Sequence, residues 1–145
     1  MINCKLKSAK ILIVEDNLGD IRLIEEAFKD SKLLNETEIL TDGETAMNYF
    51  ESIADEPSTY PDLTILDLNL PKKSGLEILN FIKTHEKLKI IPVVILTTSQ
   101  ADEDIMKSYD LYANCYITKP VDFDQFIKIV QNVNDFWFSI VKLPK

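Results

Sequence analysis

The most constraining feature of the sequence is a short apolar run that ends on an acid, within residues 62–71. Residues 63–66 are apolar or β-branched, and Pro71 follows closely. This pattern predicts a strand buried on both faces, as strands of parallel sheets are. Asp67 comes directly after the run. Because an ionised carboxylate is costly to bury without partners, we expect Asp67 at the carboxyl end of the strand, where cations can reach it.

Further strands and helices alternate along the chain. Apolar runs predict the other four strands at 10–14, 38–40, 92–96 and 115–118. Helical patterns follow the five strands: after Asn17, from a capping box at 41–44, from about 75 to 86, from Ser99 or Asp102 through Tyr109, and from Asp122 towards Trp137. This alternation predicts an α/β fold with a five-stranded parallel sheet, covered by helices on both faces.

Length and composition favour one soluble globular domain. The chain has 145 residues, of which 46% are hydrophobic and 28% are charged. These values are ordinary for a globular protein, and we expect residues 1–145 to form a single domain. Twenty-four acidic residues against 16 basic ones give a net charge of −8. Such an excess opposes attraction to phosphate backbones, so we expect no direct binding of nucleic acid.

The cysteines and the hydropathy pattern favour the cytoplasm. Cys4 and Cys115 are far apart and have no neighbouring metal ligands, so free thiols in a reducing compartment are favoured over a disulfide. The first residues lack the apolar core of a signal peptide, and no run approaches the roughly 20 apolar residues of a membrane span. The sequence therefore predicts a cytoplasmic protein without a membrane partner.

Polar side chains follow four of the five predicted strands. They are Glu15 and Asp16 after the first, Asp67 at the end of the third, Thr97 after the fourth and Lys119 after the fifth. Each alone has an ordinary structural explanation, such as a helix N-terminal charge, a turn residue or a solvated lysine. The carboxyl ends of parallel strands share one edge of the sheet, however, and ligands bind there. Their convergence at one edge favours a functional site.

The residue types at this edge suit phosphoryl transfer. Three carboxylates repel each other unless a cation lies among them, and oxygen ligands with retained water suit Mg²⁺. A hydroxyl donor and an ammonium group opposite the carboxylates suit a transferring phosphoryl group.

With these motifs the chain resembles the receiver domain of two-component response regulators, from about residue 10 to 133. The resemblance rests on Glu15-Asp16, on Asp67 with the following Leu-Asn-Leu-Pro and Gly75, on Thr97 and on Lys119-Pro120. It implies the doubly wound (βα)5 flavodoxin-like fold, with strand order 2-1-3-4-5. The loop before Asp67, residues 114–120 and the aromatic segment 136–138 look most like single-domain regulators of bacterial phytochrome-type histidine kinases.

The resemblance implies a signalling role rather than an enzyme's. A sensor histidine kinase, of phytochrome type by the closer likeness, would pass a phosphoryl group from its phosphohistidine to Asp67. Mg²⁺ would be held by Asp16, Asp67 and the backbone carbonyl of Asn69, with Glu15 acting through a bound water. Any catalysis would be limited to the domain's own phosphoryl transfer and autodephosphorylation.

The same resemblance implies a two-state switch. Lys119 would pair with Asp67 or its phosphoryl group, and Thr97 would donate a hydrogen bond to a phosphoryl oxygen. Movement of Thr97 would vacate space for Tyr116, which changes the face formed by the fourth helix, fifth strand and fifth helix.

The C-terminal segment carries more apolar surface than one sheet face needs. Two apolar stripes, here called seams, run along the predicted last helix and its extension at 134–145. One seam contains Phe126, Val130, Val133 and Trp137, and the other contains Ile129, Val133, Phe136 and Ile140. A second exposed seam would mark a protein interface, which predicts a homodimer through this helix. The alternative is that Phe136 and Trp137 fold back on the domain's own core.

Three other classes of protein fit the sequence less well. A receiver-like binding module that never takes a phosphoryl group is the main alternative, against which the complete set of Asp67, Thr97 and Lys119 counts. A flavodoxin-like redox protein needs a phosphate-cradling loop after the first strand, where Glu15 and Asp16 would repel a phosphate. A nucleoside-triphosphate enzyme is disfavoured because the chain lacks a Gly-x-x-x-x-Gly-Lys run.

Overall fold

The computed structural model describes residues 8–30, 35–97 and 115–119, together with positions 124 and 128. Strand β1 (Ala9–Val14) lies in a parallel sheet between β2 (Asn35–Leu40) and β3 (Leu63–Leu66). Strand β4 (Val93–Thr97) pairs with β3, and β5 (Cys115–Thr118) pairs in parallel with β4. The parallel sheet and the order 2-1-3-4 of its first four strands confirm the prediction.

Three helices are described, namely α1 (Leu18–Lys29), α2 (Gly43–Ile53) and α3 (Gly75–Thr84). Two short 3₁₀ turns, Pro57–Thr59 and Leu88–Ile90, precede β3 and β4. The predicted fourth helix lies outside the described residues, as do the extension at 134–145 and the fifth helix apart from two exposed helical positions, Asp124 and Lys128. None of the helices in the described ranges has the length and apolarity needed to span a bilayer.

Side chains of β1 alternate between two cores, one on each face of the sheet. Leu12 and Val14 pack in the core that α2 and α3 cover. Ile11 and Ile13 pack in the opposite core, which α1 covers. Because helices lie on both faces, the central strands are buried on both sides, as the apolar runs predicted.

Helical spacing in the sequence predicts which side chains of α1 and α3 are buried. In α1 the spacing predicts Ile21, Ile24 and Phe28, and all three are buried. In α3 the spacing predicts Leu76, Leu79 and Ile82. The structure buries Leu79 and Ile82 together with Ile78, whereas Leu76 is only partly buried. Several apolar residues follow one another in this helix, so spacing alone left the choice of face open.

Strand β2 begins three residues before the position expected from the sequence. Its residues alternate between half-buried and exposed positions, with Glu36 and Glu38 exposed. The strand lies at the edge of the described sheet and pairs only with β1 there. A half-solvated edge strand has little apolar signal, which explains the short prediction.

Helix α2 starts differently from the predicted capping box at 41–44. The N-cap is Asp42, whose carboxylate accepts the Thr45 backbone N–H at 2.7 Å and the Thr45 hydroxyl at 3.0 Å. The N–H of Gly43 donates to the carbonyl of Pro71 at 3.0 Å. The capping bonds are therefore made by Asp42 and not by Thr41, and the contact with Pro71 satisfies a further N-terminal donor of the helix.

We expect Asp42→Ala to lower the melting temperature, whereas Thr41→Ala should leave it nearly unchanged because Thr41 is exposed and does not cap the helix. The hydrogen bond from the Thr45 backbone lowers the pKa of Asp42. The stabilisation by Asp42 should therefore be present above the ordinary carboxyl range and disappear as the pH falls through the lowered value. Thermal melting of both variants against pH tests this, and equal losses in the two variants would contradict it.

Candidate functional site

Asp67 directly follows β3 and is almost fully buried, with 5% of its surface exposed. Its backbone N–H donates to the carbonyl of Val14 at 3.0 Å, which continues the pairing of β3 with β1. One side-chain oxygen, Oδ1, accepts the backbone N–H of Asn69 at 3.0 Å. The Asp67 carboxylate is therefore held at the carboxyl edge of the sheet, as the sequence predicted.

Gly75 fixes the backbone behind Asp67. A Cβ atom at Gly75 would lie 2.2 Å from the Asp67 carbonyl oxygen and 2.7 Å from the Leu68 Cα. The Gly75 N–H also donates to the Leu68 carbonyl at 3.0 Å. The start of α3 therefore packs directly on the chain that follows β3, at a distance that excludes any side chain.

The loop between β3 and α3 contains a strained turn. Lys72 has a positive φ of 72°, and the Lys73 N–H donates to the Pro71 carbonyl at 2.8 Å, which is the pattern of a γ-turn. The turn also packs against the start of α2, because a Cβ atom at Gly43 would lie 1.9 Å from the Lys73 carbonyl oxygen. The loop after Asp67 is therefore confined between two helices.

Glu15, Asp16 and Asp67 bring three carboxylates together. One oxygen from each lies within 4.8 Å of the others. Glu15 is 1% exposed and Asp67 5%, while Asp16 is exposed. An oxygen donor set of this kind, open on one side, fits a hard divalent cation that keeps part of its hydration shell. The convergence of these acids agrees with their placement from the sequence.

Lys119 lies among the carboxylates and is only 7% exposed. Its Nζ atom lies 2.7 Å from Glu15 Oε1, 2.7 Å from Asp20 Oδ2 and 3.3 Å from Asp67 Oδ2. The two shorter distances are those of strong charge-assisted hydrogen bonds, and the contact with Asp67 is longer. The structure thus brings Lys119 to Asp67, as the sequence predicted, but holds it more closely to two other acids.

Burial and pairing shift the pKa values of this cluster in characteristic directions. Burial raises the pKa of Glu15 to about 7, although hydrogen bonds from Lys119 and from the Asn17 backbone N–H oppose the shift. Burial by itself lowers the pKa of Lys119, but hydrogen bonds to Asp20 and Glu15 and the charge of Asp67 raise it above its ordinary value. Lys119 is therefore a permanent cation at this edge.

The structure locates three further predicted site residues, Thr97, Tyr116 and Asn69, through their backbones. Thr97 ends β4 and lies in register with Thr118, and Tyr116 lies in register with Ile95, so both backbones are close to the carboxyl edge. The side chains of Thr97 and Tyr116 lie outside the described part of the chain. Asn69 contacts Asp67 through its backbone N–H.

Asp20 is a residue of this cluster that the sequence reasoning missed. It lies in the first turn of α1, and its side chain, 32% exposed, reaches Lys119. The available signal was its position, because the first turn of a helix that follows β1 lies beside the carboxyl edge of the sheet. A polar helix residue usually faces solvent, however, and nothing in the spacing distinguishes Asp20 from such a residue.

With this fold and site, the chain belongs to the response regulator receiver domain family, whose model matches residues 11–131. Among curated proteins it is similar to the response regulator Rcp1 of Synechocystis, with 46% identity over 135 residues that cover 92% of each chain. It is also similar to the probable methanogenesis regulatory protein FilR2 of Methanothrix harundinacea, with 37% identity, 92% coverage of this chain and 86% of the relative.

Solved structures give the same family and a closer likeness. The phosphorylated cyanobacterial phytochrome response regulator RcpA is 46% identical, with a TM-score of 0.80, and the match covers 96% of this chain and all of RcpA. The Mn²⁺-bound form of Rcp1 is 45% identical, with a TM-score of 0.78 and coverage of 94% and 99%. The likeness to single-domain phytochrome response regulators confirms the closer resemblance read from the sequence.

We expect Gly75→Ala to lower the free energy of unfolding by about 1–3 kcal/mol, because the new methyl group overlaps the Asp67 backbone. Gly19→Ala is the matched control. Its Cβ would lie 3.2 Å from Asn17 Oδ1 at an exposed position of α1, so a change within about 1 kcal/mol is expected. Urea unfolding measures both, and similar losses at the two glycines would show that the close approach at Gly75 is unimportant.

Proposed function

We propose that this protein is a single-domain response regulator that accepts a phosphoryl group from the phosphohistidine of a sensor histidine kinase onto Asp67. The observation that carries the proposal is a nearly buried Asp67 carboxylate beside both an acidic pair and the Lys119 ammonium. Membership of the receiver family supports it. The named likeness to phytochrome regulators favours a phytochrome-type kinase as the donor.

The transfer is a substitution at phosphorus. An Asp67 oxygen forms a bond to the phosphorus while the bond to the imidazole nitrogen of the kinase breaks, and the electron pair of that bond stays with the imidazole. Asp67 Oδ1 accepts the Asn69 N–H at 3.0 Å, whereas Oδ2 accepts only the longer contact from Lys119 at 3.3 Å, so Oδ2 is the more suitable nucleophile. Lys119 contacts this same oxygen and supplies positive charge where the phosphoryl oxygens would lie.

The divalent cation that we propose is Mg²⁺, bound by Asp16, Asp67 and the backbone carbonyl of Asn69, with Glu15 acting through a water. The grouping of the three carboxylates and the Mn²⁺-bound relative support a divalent cation at this place. When bound, it would neutralise charge on the phosphoryl oxygens and relieve repulsion among the acids.

The output of the switch would involve Thr97 and Tyr116. In this proposal the Thr97 hydroxyl donates a hydrogen bond to the phosphoryl group, and Tyr116 moves into the space that Thr97 leaves. Thr97 and Tyr116 lie on the neighbouring paired strands β4 and β5, two residues apart in register, which supports a shared role. The same proposal includes the complete (βα)5 fold and a single domain over residues 1–145. It also includes autodephosphorylation and a cytoplasmic location without nucleic-acid binding.

The second candidate is a binding module that keeps the fold but takes no phosphoryl group. The buried cluster makes it less favourable, because a pure binding surface gains nothing from burying Glu15 and Asp67 together. The two candidates differ in one measurable property, the uptake of a phosphoryl group.

We expect wild-type protein to take up one phosphoryl group from acetyl phosphate with Mg²⁺, and Asp67→Asn to take up none, because the amide cannot act as the nucleophile. Asp55→Asn is the control. Asp55 is exposed and pairs with Lys87 at 3.5 Å on the surface. Intact-protein mass spectrometry measures the added mass.

Chelation of divalent cations should abolish this uptake, and addition of Mg²⁺ should restore it. Uptake by Asp67→Asn at the wild-type level would disprove the assignment of the phosphoacceptor. A wild-type protein that stays unmodified while a cognate kinase still binds it would favour the non-phosphorylated module.

We also propose a homodimer through the fifth helix and its extension, on the basis of the two apolar seams in the sequence. Sedimentation at micromolar concentration should show a dimer for wild type and a monomer for Phe136→Ala/Ile140→Ala, because the substitutions remove apolar interface area. A wild-type protein that is monomeric both with and without the phosphoryl group would rule out this interface.

A further inference from the structure

The contacts of Lys119 are divided unevenly among three acids. An ammonium group has three N–H donors, and Glu15, Asp20 and Asp67 each supply one oxygen to it. Asp20 and Glu15 are both at 2.7 Å, while Asp67 is at 3.3 Å. The ammonium is therefore displaced from the proposed phosphoacceptor towards the other two carboxylates.

Asp20 differs from the other two partners in its relation to the proposed cation. Within the described residues, the group that could hold a metal ion comprises Glu15, Asp16 and Asp67 and does not include Asp20. A cation bound there would draw on the charge of Glu15 and Asp67 and weaken their hold on Lys119. Asp20 would then be the acid that retains Lys119 most strongly.

We propose that Asp20 is a positioning residue that holds the Lys119 ammonium away from Asp67 and thereby slows phosphoryl transfer to Asp67. This inference rests on the proposed function. Removal of the Asp20 charge would let Lys119 move towards Asp67 Oδ2, where it can pair with the incoming phosphoryl oxygens. Asp20 does not touch the reacting atoms and acts only through Lys119.

The reaction that reports on this effect is the transfer from an acyl phosphate. An Asp67 oxygen bonds to the phosphorus, the bond from phosphorus to the acyl oxygen breaks, and acetate leaves with that electron pair. The donor and the new phosphoryl group are anionic throughout. A closer ammonium stabilises this charge, whereas one held by Asp20 contributes less.

The ordinary structural role of Asp20 would be a favourable charge at the N-terminus of α1. The capping of this helix does not need that carboxylate, however. The Asp20 backbone N–H donates to Asn17 Oδ1 at 2.9 Å, and the side chain points instead to Lys119. A structural charge would affect stability in the same way whether or not Lys119 is present, and this difference can be measured.

The test compares the rates at which the variants take up a phosphoryl group from acetyl phosphate at saturating Mg²⁺. Asp20→Asn should react roughly three- to tenfold faster than wild type, the scale of one unit charge a few ångströms away in a partly solvated site. Asp20→Glu restores the charge and should return the rate towards wild type. Glu26→Gln removes an exposed charge six residues further along the same helix and should leave the rate unchanged.

A double-mutant cycle of Asp20 and Lys119, measured by thermal melting without phosphodonor or metal, supplies the second readout. Asp20→Asn should lower the melting temperature less in a Lys119→Gln background than in the wild-type background. The reason is that the substitution removes the ion pair between Asp20 and Lys119 only where Lys119 is present. Equal changes in the two backgrounds, or an unchanged or slower rate for Asp20→Asn, would overturn the role of Asp20. A wild type that takes up no phosphoryl group would instead refute the proposed function.

Discussion

The ion pairs of Lys119 join parts of the chain that are distant in sequence and that would otherwise repel each other. Glu15 follows β1, Asp67 follows β3 and Asp20 belongs to α1, and all three carboxylates contact one ammonium at the end of β5. Burial of Glu15 and Asp67 without a cation would be strongly unfavourable. The described structure can therefore keep two nearly buried acids at one edge because the last described strand delivers a lysine to them.

The backbone around Asp67 leaves little room for adjustment. Gly75 packs against the Asp67 carbonyl, and Gly43 packs against Lys73 in the turn that follows. The γ-turn at Lys72 adds local strain between these two contacts. A change in charge at Asp67 would thus act on a loop that already touches the start of α2 and of α3, which is a suitable arrangement for a switch based on a local chemical event.

Much of the fold followed from periodicity, and the two wrong bounds fell where the local pattern was weak or ambiguous. The apolar runs located the buried strands because such strands are solvated on neither face. Strand β2 was predicted too short because its residues 35–38 are all polar and gave no apolar signal. The N-cap of α2 was misplaced by one residue because Thr41 and Asp42 are both residue types that cap helices, and the sequence alone does not decide between neighbouring candidates.

The site, like the fold, was determined partly by the sequence and partly by tertiary packing. The sequence by itself determined that Glu15, Asp16, Asp67 and Lys119 would meet, because the carboxyl ends of parallel strands share one edge whatever the details of packing. Only the tertiary structure decided how Lys119 divides its contacts and that Asp20 is one of its partners. That choice depends on where the first turn of α1 lies relative to the end of β5, a distance set by packing between elements remote in the chain. The strand order was implied by the resemblance to the receiver family. The difference between 2.7 and 3.3 Å at the Lys119 ammonium depends instead on how several elements pack together.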